Sequence, residues 1–555
     1  MASWSRASGK KIATPTASRR HVRRLGAQRC APHFHSLVPL LERPNLEASM
    51  ALNRTSDAPS RYKPNPSVLT ALRTPRILIK EVLAGLVVAL ALIPEAIAFS
   101  IIAGVDPRLG LFSTFIMAIV ISFVGGRPAM ITGATGAVAL VIAPVAREYG
   151  LEYFIATVIL AGVFQLILAA IGVAKLMRFI PRSVMVGFVN ALAILIFTSQ
   201  LPQLLGVPFL VYPLVAFGII IMVVMPRLTK VVPAPLVAIV VLTAITVLAS
   251  IAVPTIGDQG ELPRSLPTLF VPNVPLTLET FTIIAPFALG MALVGILESL
   301  MAAKLVDEIT DTHSRKTRET FGQGTANIIS GFFGGMGGCA LIGQTMINVK
   351  ASGARTRIST FLAGFFLMVL VITVGDVLAV VPMAALVAVM IIVSVLTFDW
   401  HSIRLSTLKR MPKSETTVMV ATVIVIVATH NLAIGVVVGV IIAMVAFARR
   451  VAHLVTVTRT LPEDENVPTA LYTVDGALFF ASSNDLTTQF EYTDDPDRIV
   501  IDVSASHIWD ASTVAALDAV TNKYKHLNKR VVIVGMNEAS TSLHTRLGGN
   551  LGAGH

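Results

Sequence analysis

Long apolar stretches follow one another from Ile77 to Phe447 and are separated by short polar connections. Almost every stretch reaches the ~20 residues that an α-helix needs to cross a bilayer. Fourteen candidate spans can be placed, with centres near residues 89, 117, 139, 161, 192, 217, 242, 292, 327, 344, 367, 390, 424 and 440. The pattern predicts an all-α polytopic membrane protein with a transport domain at residues 66–452.

Two glycine-rich segments interrupt the pattern, Gly133-Ala-Thr-Gly136 at the third span and Gly334-Gly-Met-Gly-Gly338 at the tenth. Each opens a segment too short to cross a bilayer as a plain helix. Paired interruptions at corresponding positions in two halves indicate a transporter's binding site. A helix that begins inside the membrane has unpaired N–H groups at its positive dipole end, which attract an anion. Close packing of small residues is the alternative, but it does not explain the matched positions.

Loop charges set the orientation of the spans. Eighteen Lys and Arg residues follow the even-numbered spans, whereas only Arg108, Arg147 and Arg264 follow the odd-numbered ones. The positive-inside rule therefore places both termini in the cytoplasm. Fourteen spans divide into seven plus seven, and an odd number per half gives the halves opposite orientations. We predict a 7+7 inverted repeat in which the third and tenth spans are two half-helices that meet head-on near the midplane.

Composition agrees with this class, since only 14% of the residues are charged, against about a quarter in a soluble protein. The net charge of +12 comes from the basic loops, so we expect no nucleic-acid partner. Cys30 and Cys339 offer no disulfide framework or zinc spacing. The sequence has no convergent nucleophile or metal cluster and is not predicted to be an enzyme. No cofactor is expected beyond a co-transported H⁺ or Na⁺.

Two carboxylates fall inside predicted spans, Glu95 after Pro94 in the first span and Glu298 in the eighth. Ionisable residues within a membrane are costly and are functional hypotheses by default. The proline kinks its helix and exposes polar backbone beside Glu95. A buried carboxylate can bind a proton or help to bind Na⁺, and either would couple anion entry to a cation gradient. The alternatives are a partly solvated Glu95 near the outer end and a Glu298 that partners a hydroxyl such as Ser299.

Other polar residues in the spans suggest structural roles. Gln323 and Asn327 are four residues apart and share a helix face, so we expect interhelical hydrogen bonds from them. Lys304, Asp307 and Glu308 close the eighth span, where we expect a local ion pair.

The two ends of the chain differ from the membrane domain. Residues 1–65 are rich in Arg, Ser and Pro and are predicted to form a disordered basic tail, with translation from Met50 as an equal alternative. Residues 453–465 are predicted to be a linker, and 466–550 a small α/β domain. Its predicted elements are a strand, turn and strand over 471–480, a strand over 498–503, a helix over 512–526 and a strand over 530–535.

The chain resembles the sulfate permease (SulP) family of anion transporters with a C-terminal STAS domain, over about residues 65–550. The motifs that carry the resemblance follow in order: Pro94-Glu-Ala-Ile-Ala-Phe99, Thr132-Gly-Ala-Thr-Gly136, Glu298-Ser-Leu300, Gly322-Gln-Gly-Thr-Ala-Asn327, Phe333-Gly-Gly335, and Asn348 before Ser352-Gly-Ala-Arg-Thr356. The STAS resemblance rests on Val474-Asp-Gly-Ala-Leu-Phe-Phe480, Ile501-Asp-Val-Ser504 and Asp510-Ala-Ser-Thr513.

The resemblance implies a core (elevator) bundle and a gate bundle, homodimers, and an anion held between the third and tenth spans. It assigns these residues to the anion site: Glu95, Phe99, Thr135, Gly136, Ala340, Gly343 and Gln344. It ties Glu298, with Ser299, to H⁺ or Na⁺ coupling. It also implies a multi-pass protein of the cell (inner) membrane, with the N-terminus and the STAS domain in the cytoplasm and a regulatory partner for that domain.

Two positions depart from the family pattern, because many members have Gln in place of Glu95 and Arg in place of Gln344. The site loses a positive charge and gains a negative one, which disfavours divalent sulfate more than monovalent bicarbonate. The family name favours sulfate and the local charges favour bicarbonate; both stay open, as do an uncoupled channel or exchanger and dicarboxylate transport. In related stand-alone STAS domains a serine near this turn is phosphorylated, which makes Ser512 a regulatory candidate, although the usual Ser-Gly ending is missing here.

Overall fold

A computed structural model describes residues 66–175, 180–228, 233–263, 265–452, 455–462 and 467–548. The predicted tail 1–65, including Met50, lies outside the described residues. The described membrane domain contains short and long helices and two short strands. In chain order they are α1 Val68–Arg73, α2 Pro75–Ala103, α3 Pro107–Val124, β1 Thr132–Gly133, α4 Gly136–Ile171, α5 Arg182–Gln200, α6 Val211–Leu228, α7 Ala234–Leu248, α8 Leu278–Thr310, α9 Lys316–Phe332, β2 Cys339–Ala340, α10 Ile342–Met346, α11 Arg357–Ala379, α12 Met383–Thr397, α13 Leu405–Arg410, α14 Lys413–Thr429 and α15 Leu432–Ala452.

All fourteen predicted span centres fall within these helices. Helix α4 carries the third and fourth centres and is interrupted at Gly150, whose φ of 84° and ψ of −178° are not helical. The part before the break, 136–149, is only about 21 Å long at 1.5 Å per residue, shorter than the ~30 Å hydrocarbon core. By length and apolarity, eight helices among the described residues can cross a bilayer, so the count of fourteen spans stays a prediction.

The helices form two groups that each mix the two halves of the chain. In one group α4 packs against α8 and α9, and α11 packs against α2 and α3. In the other, α5 packs against α12, α14 and α15, and α6 packs against α7 and α12. Helices α4 and α9 approach closely at Gly162, where an added Cβ would lie only 2.8 Å from the carbonyl oxygen of Gly324. Some glycines of this chain therefore do serve helix packing, as the alternative reading proposed.

The C-terminal domain is a four-stranded sheet in the order β3-β4-β5-β6. Strands β3 and β4 are antiparallel, whereas β4, β5 and β6 run parallel. The elements are β3 Thr456–Thr460, β4 Thr469–Leu478, α16 Phe480–Leu486, β5 Arg498–Ile508, α17 Ala511–His526, β6 Arg530–Val534 and α18 Glu538–Leu547. The strands, the helix α17 and the parallel order agree with the predicted small α/β domain.

Two details of that domain differ from the prediction. The expected strand, turn and strand over 471–480 is one strand, β4, with a register irregularity between Thr473 and Asp475. The chain continues through Asp475-Gly476, which pair with Ala505 and Ser506, and the extra residue of the irregularity lies in β5 between Asp502 and Ala505. Gly476 has a φ of 118°. Strand β3 lies within the predicted linker 453–465, so the sheet begins before the predicted domain boundary.

Candidate functional site

The two glycine-rich segments meet through the short strands β1 and β2. The strands are antiparallel, with Thr132 opposite Ala340 and Gly133 opposite Cys339. A Cβ on Gly338 would lie only 1.9 Å from the carbonyl oxygen of Gly133, so the contact requires glycine. Each strand leads within a few residues into a helix, and antiparallel strands send these helices, α4 and α10, in opposite directions. Their N-termini therefore begin on either side of the paired strands.

The first turn of helix α4 lies against the ring of Phe99. Thr135 caps it, and its side-chain oxygen accepts a hydrogen bond from the N–H of Val138 at 3.4 Å. A Cβ on Gly136 would lie 2.8 Å from Cε1 of Phe99, so the ring from α2 covers the first turn. All of these residues are buried.

Helix α10 begins without a side-chain cap at Leu341. Its first helical hydrogen bond runs from the N–H of Thr345 to the carbonyl of Leu341, at 3.0 Å, which leaves the N–H groups of residues 342–344 without a partner inside the helix. Gly343 is exposed, and a Cβ there would meet nothing within 4 Å. The first turn of α10 therefore faces open space, where an anion can approach the backbone.

Glu95 lies at this site and is buried, with 9% of its surface exposed, rather than solvated at the outer end. Its carboxyl group interacts with the side chain of Gln344, which is also buried. The two positions that depart from the family pattern are therefore neighbours. A change of charge at either position therefore acts on the same part of the site.

Glu298 reaches the same strands from α8 and is 8% exposed. The thiol of Cys339 donates a hydrogen bond to Glu298 Oε2 at 2.9 Å, and Cys339 Sγ also lies 3.1 Å from Thr135 Oγ1. Ser299 Oγ does not partner the carboxylate but accepts a hydrogen bond from the N–H of Ala340 at 3.1 Å. Sequence reasoning considered Cys339 only as a disulfide or zinc ligand and missed its place between the helix cap and the carboxylate.

Amide side chains of α9 hydrogen-bond to strand β1 and to the residue before strand β2. Gln323 Nε2 donates to Thr132 Oγ1 at 3.1 Å, and Asn327 hydrogen-bonds both the N–H and the carbonyl of Gly338. Asn327 Nδ2 also donates to Gln165 Oε1 at 2.9 Å. Asn327 is thus an interhelical partner, as its position predicted, whereas Gln323 bonds to strand β1 and to Glu319 of its own helix. Gln165 is an addition.

Two further buried carboxylates were not singled out in the sequence. Glu81 accepts hydrogen bonds from the N–H groups of Arg355, Thr356 and Ser359 at 2.7, 3.0 and 3.1 Å. Glu319 accepts from the N–H groups of Gly126 and Arg127 and from Gln323 Nε2, at 2.7, 2.9 and 2.9 Å. Both lie among the basic connections of the membrane domain.

An ion pair does form at the end of α8, but the prediction of a local partner is wrong. Asp307 Oδ1 pairs with Arg127 Nη1 at 2.8 Å, and Asp307 Oδ2 accepts from Ser314 Oγ at 2.8 Å. Lys304 is exposed. The pair joins α8 to the connection before β1, a contact that neighbours in sequence could not reveal.

A cavity of about 520 Å³ opens beside the site. Its wall includes Ala98 and Leu140, which adjoin Phe99 and the first turns of α4, and it is also lined by Arg147 and His430. Helices from both packing groups contribute to it. The cavity therefore lies between the two packing groups, close to the first turns of α4.

The structure thus gathers the predicted anion-site residues around β1 and β2 and brings Glu298 and Ser299 to β2. Ser512 belongs to the other domain, where it is exposed in the first turn of α17. Asp510 caps that helix and accepts hydrogen bonds from the N–H and Oγ1 of Thr513 at 3.0 and 3.1 Å.

Comparisons with known families agree with this architecture. The sequence model of the sulfate permease family matches residues 78–220 and 208–422, and that of the STAS domain matches residues 459–549. The putative sulfate transporter YbaR of Bacillus subtilis is 51% identical over 464 residues, covering 84% of this chain and 96% of that protein. The bicarbonate transporter BicA of Picosynechococcus is 26% identical over 82% of this chain and 88% of its own length.

Solved structures share the fold. Murine Slc26a9, an anion transporter in an inward-facing state, aligns with a TM-score of 0.74 and 16% identity over 92% of this chain and 96% of that one. The transmembrane domain of a cyanobacterial BicA aligns with a TM-score of 0.57 and 24% identity, over 67% of this chain and 98% of that chain.

Proposed function

The chain belongs to the sulfate permease family and carries a STAS domain, and we propose that it is a secondary active transporter of a small inorganic anion, sulfate or bicarbonate. The observation that carries the proposal is the antiparallel pairing of β1 and β2, which sets the starts of α4 and α10 beside two buried carboxylates. Each helix start contributes roughly half a positive charge. The anion binds at these starts, close to Phe99, Thr135 and Gly343.

The local charges favour a monovalent anion over a divalent one. Two helix starts together supply about one positive charge, and Glu95 beside Gln344 subtracts from it when ionised. Sulfate would leave an uncompensated negative charge in a buried site, whereas bicarbonate would leave less. Both anions occur among the relatives, since YbaR is named as a putative sulfate transporter and BicA as a bicarbonate transporter.

We further propose that uptake is coupled to H⁺ or Na⁺ through Glu298 and proceeds by elevator-type alternating access. The two helix groups support the movement, because β1, β2 and both carboxylates belong to the group of α2, α4 and α8, while α5 and α12 line the cavity from the other group. Coupling would offset the negative charge that accompanies the anion. An uncoupled channel or exchanger would need no such carboxylate.

The family resemblance and the loop charges support a proposal for assembly and location. We propose a homodimer in the cell (inner) membrane, with both termini and the STAS domain in the cytoplasm. We propose a regulatory partner for the STAS domain, with Ser512 as its modifiable residue because it is exposed. Mass spectrometry of the native protein that finds Ser512 and its neighbours always unmodified would remove the basis for the last point.

Proteoliposome uptake tests the transport function. The purified protein is given labelled sulfate or bicarbonate with an imposed inward H⁺ gradient, an inward Na⁺ gradient, or neither. Accumulation above equilibrium under one gradient supports secondary active transport. Flux that runs only down the anion gradient, whatever the cation gradient, would support the channel or exchanger, and competition by succinate would support dicarboxylate transport.

A further inference from the structure

The orientation of the Gln165 side chain is set by a chain of hydrogen bonds. The N–H of Gly338 donates to Asn327 Oδ1 at 2.8 Å, and Asn327 Nδ2 donates to the carbonyl of Gly338 at 3.1 Å. One backbone residue thus determines which end of the Asn327 amide is the oxygen. Asn327 Nδ2 then donates to Gln165 Oε1, so Gln165 must present its Nε2 group at the opposite side.

This Nε2 group is a buried donor without a partner. Gln165 has 0% of its surface exposed, and its Nε2 makes no hydrogen bond with any residue that the structure describes. The atom lies 2.8 Å from the position that a Cβ on Gly295 would occupy, and Cys339 Cβ lies 3.5 Å from the same point. Buried donors are rarely left unpaired, so the amide requires an acceptor in this space.

The first side-chain acceptor after Gly295 on α8 is Glu298, three residues later. A helical side chain leans toward the N-terminus and covers the preceding turn, which for Glu298 is the turn of Gly295. The thiol of Cys339 already donates to Glu298 Oε2. Two donors, one from α4 and one from β2, therefore approach the turn that the carboxylate covers.

Donors of this kind suit a proton and not a sodium ion. Hard cations are bound by oxygen ligands, whereas N–H and S–H groups point their hydrogens at the ligand. A proton on Glu298 leaves one carboxyl oxygen to accept from Gln165, and the new O–H group can donate to the sulfur of Cys339. Both protonation states are thereby hydrogen-bonded.

We propose that Gln165, oriented by Asn327, and Cys339 are the positioning residues that set how readily Glu298 takes up and releases a proton, so that the coupling ion is H⁺. This inference rests on the proposed function as a coupled anion transporter. It selects one of the two ions that the family resemblance leaves open.

Other ionisable groups on the elements that pack against α8 have different surroundings. Glu319 on α9 is held by the N–H groups of Gly126 and Arg127. Arg147, Glu148, Tyr149, Glu152 and Tyr153 of α4 lie around the break at Gly150. The remaining groups lie toward the ends of their elements: Lys316 and Arg318 of α9, Lys350 after α10, and Arg449 and Arg450 of α15. On α8 itself they are Glu279, Lys304, Asp307 and Glu308.

The experiment uses the full chain in proteoliposomes and whichever of labelled sulfate and bicarbonate the wild type takes up faster. Uptake is measured with a pH gradient in Na⁺-free buffer, with a Na⁺ gradient at equal pH, and across external pH. We expect the pH gradient alone to drive accumulation and the Na⁺ gradient to match a K⁺ control. The anion has the same speciation for every variant, so differences between variants report the protein.

Two variants remove the donors and one retains a donor. Cys339→Ala removes the hydrogen bond to Glu298, and Gln165→Met removes the second donor that faces the turn of Gly295, so in each variant Glu298 binds its proton more readily. The external pH of half-maximal uptake should rise by about one unit, the size expected for one hydrogen bond to a charged group. Cys339→Ser keeps a donor and should stay close to the wild type. If Gln165→Met does not fold, Gly295→Ala serves instead, because its Cβ would displace the Gln165 amide.

The outcomes separate the inference from the function on which it rests. Accumulation driven by Na⁺ at equal pH overturns the proton assignment and leaves anion transport standing. Proton-driven uptake with an unchanged pH profile in Gln165→Met and Cys339→Ala overturns the role of these residues. Absence of uptake under every gradient contradicts the proposed function and the inference with it.

Discussion

The centre of the membrane domain and its basic end each hold two buried carboxylates, and their surroundings differ. At the basic end, Glu81 accepts three backbone N–H groups, and Glu319 accepts two together with an amide. At the centre, Glu95 meets Gln344 and Glu298 meets Cys339, one side chain each. All four are buried, with 0–1% of the surface exposed at the basic end and 8–9% at the centre. Burial in a membrane protein therefore does not by itself identify a functional carboxylate.

The number of donors makes the difference. A carboxylate that accepts several backbone N–H groups fixes the segments that supply them, because its removal would leave those buried donors unpaired. Glu81 and Glu319 thus tie connecting segments to helices. Glu95 and Glu298 each meet one side chain near the paired strands, which suits a group that binds and releases an ion.

The largest effect is expected from Glu298→Gln. This variant should express and insert normally but lose concentrative anion uptake, because the amide cannot take up the coupling ion. Gradient-driven uptake in proteoliposomes measures it, with membrane expression as the control. Full coupled uptake in this variant would end the assignment of coupling to Glu298.

The opposite behaviour is expected from Glu81→Ala. Removal of this carboxylate leaves three buried N–H groups unpaired, at a cost of about 1–3 kcal/mol for each group. The variant should therefore show a lower thermal unfolding temperature and a lower yield in the membrane. The protein that does fold should retain the wild-type pH profile of uptake. A shifted pH profile with unchanged stability would place Glu81 with the functional carboxylates.

Charge at the centre should set anion selectivity. Gln344→Arg adds a positive charge next to Glu95, and we expect the ratio of sulfate to bicarbonate uptake to rise roughly tenfold, equivalent to about 1.4 kcal/mol. Gln344→Met is the matched neutral control and should leave the ratio near the wild-type value. An unchanged ratio in the arginine variant would show that this position does not set selectivity.

The STAS domain contains a third well-bonded carboxylate, which allows a smaller test. Asp495 accepts hydrogen bonds from Arg459 Nε and Tyr472 OH, both at 2.7 Å, and from Tyr524 OH. Burial, together with the hydrogen bond to Asp495, raises the pKa of Tyr472 above its ordinary value of 10.0, and the pKa of Tyr524 is raised for the same reasons.

A tyrosine whose pKa is raised by folding stabilises the fold below its unfolded-state pKa and loses that effect as pH rises through the folded value. The unfolding temperature of the full chain should therefore be flat from pH 7 to 9 and fall above about pH 10. Tyr472→Phe should reduce the slope of that fall. An equal slope in this variant would assign the alkaline loss to other groups.

Much of the architecture was predictable because it is local. Apolar length placed every span centre inside a helix, and strand and helix patterns located β5, α17 and β6. The failures are also local in origin. Asp475-Gly476 has the sequence of a turn, but β4 continues through it because β5 pairs with residues on both sides of the irregularity. Asp307 was assigned a neighbour on its own helix, whereas its partner Arg127 lies 180 residues earlier.

The sequence alone determined the membrane class, the matched glycine breaks at residues 133–136 and 334–338, and the identity of Glu95, Gln344 and Glu298. Tertiary structure decided that these two segments pair as strands β1 and β2, and which carboxylates accept several hydrogen bonds. It also placed the Nε2 group of Gln165, which has no partner among the described residues, against the turn of Gly295. The physical reason is distance along the chain: Glu81 is bonded by residues 274 to 278 positions later. Hydropathy and spacing act over one or two turns, and only the folded chain brings such donors to a carboxylate.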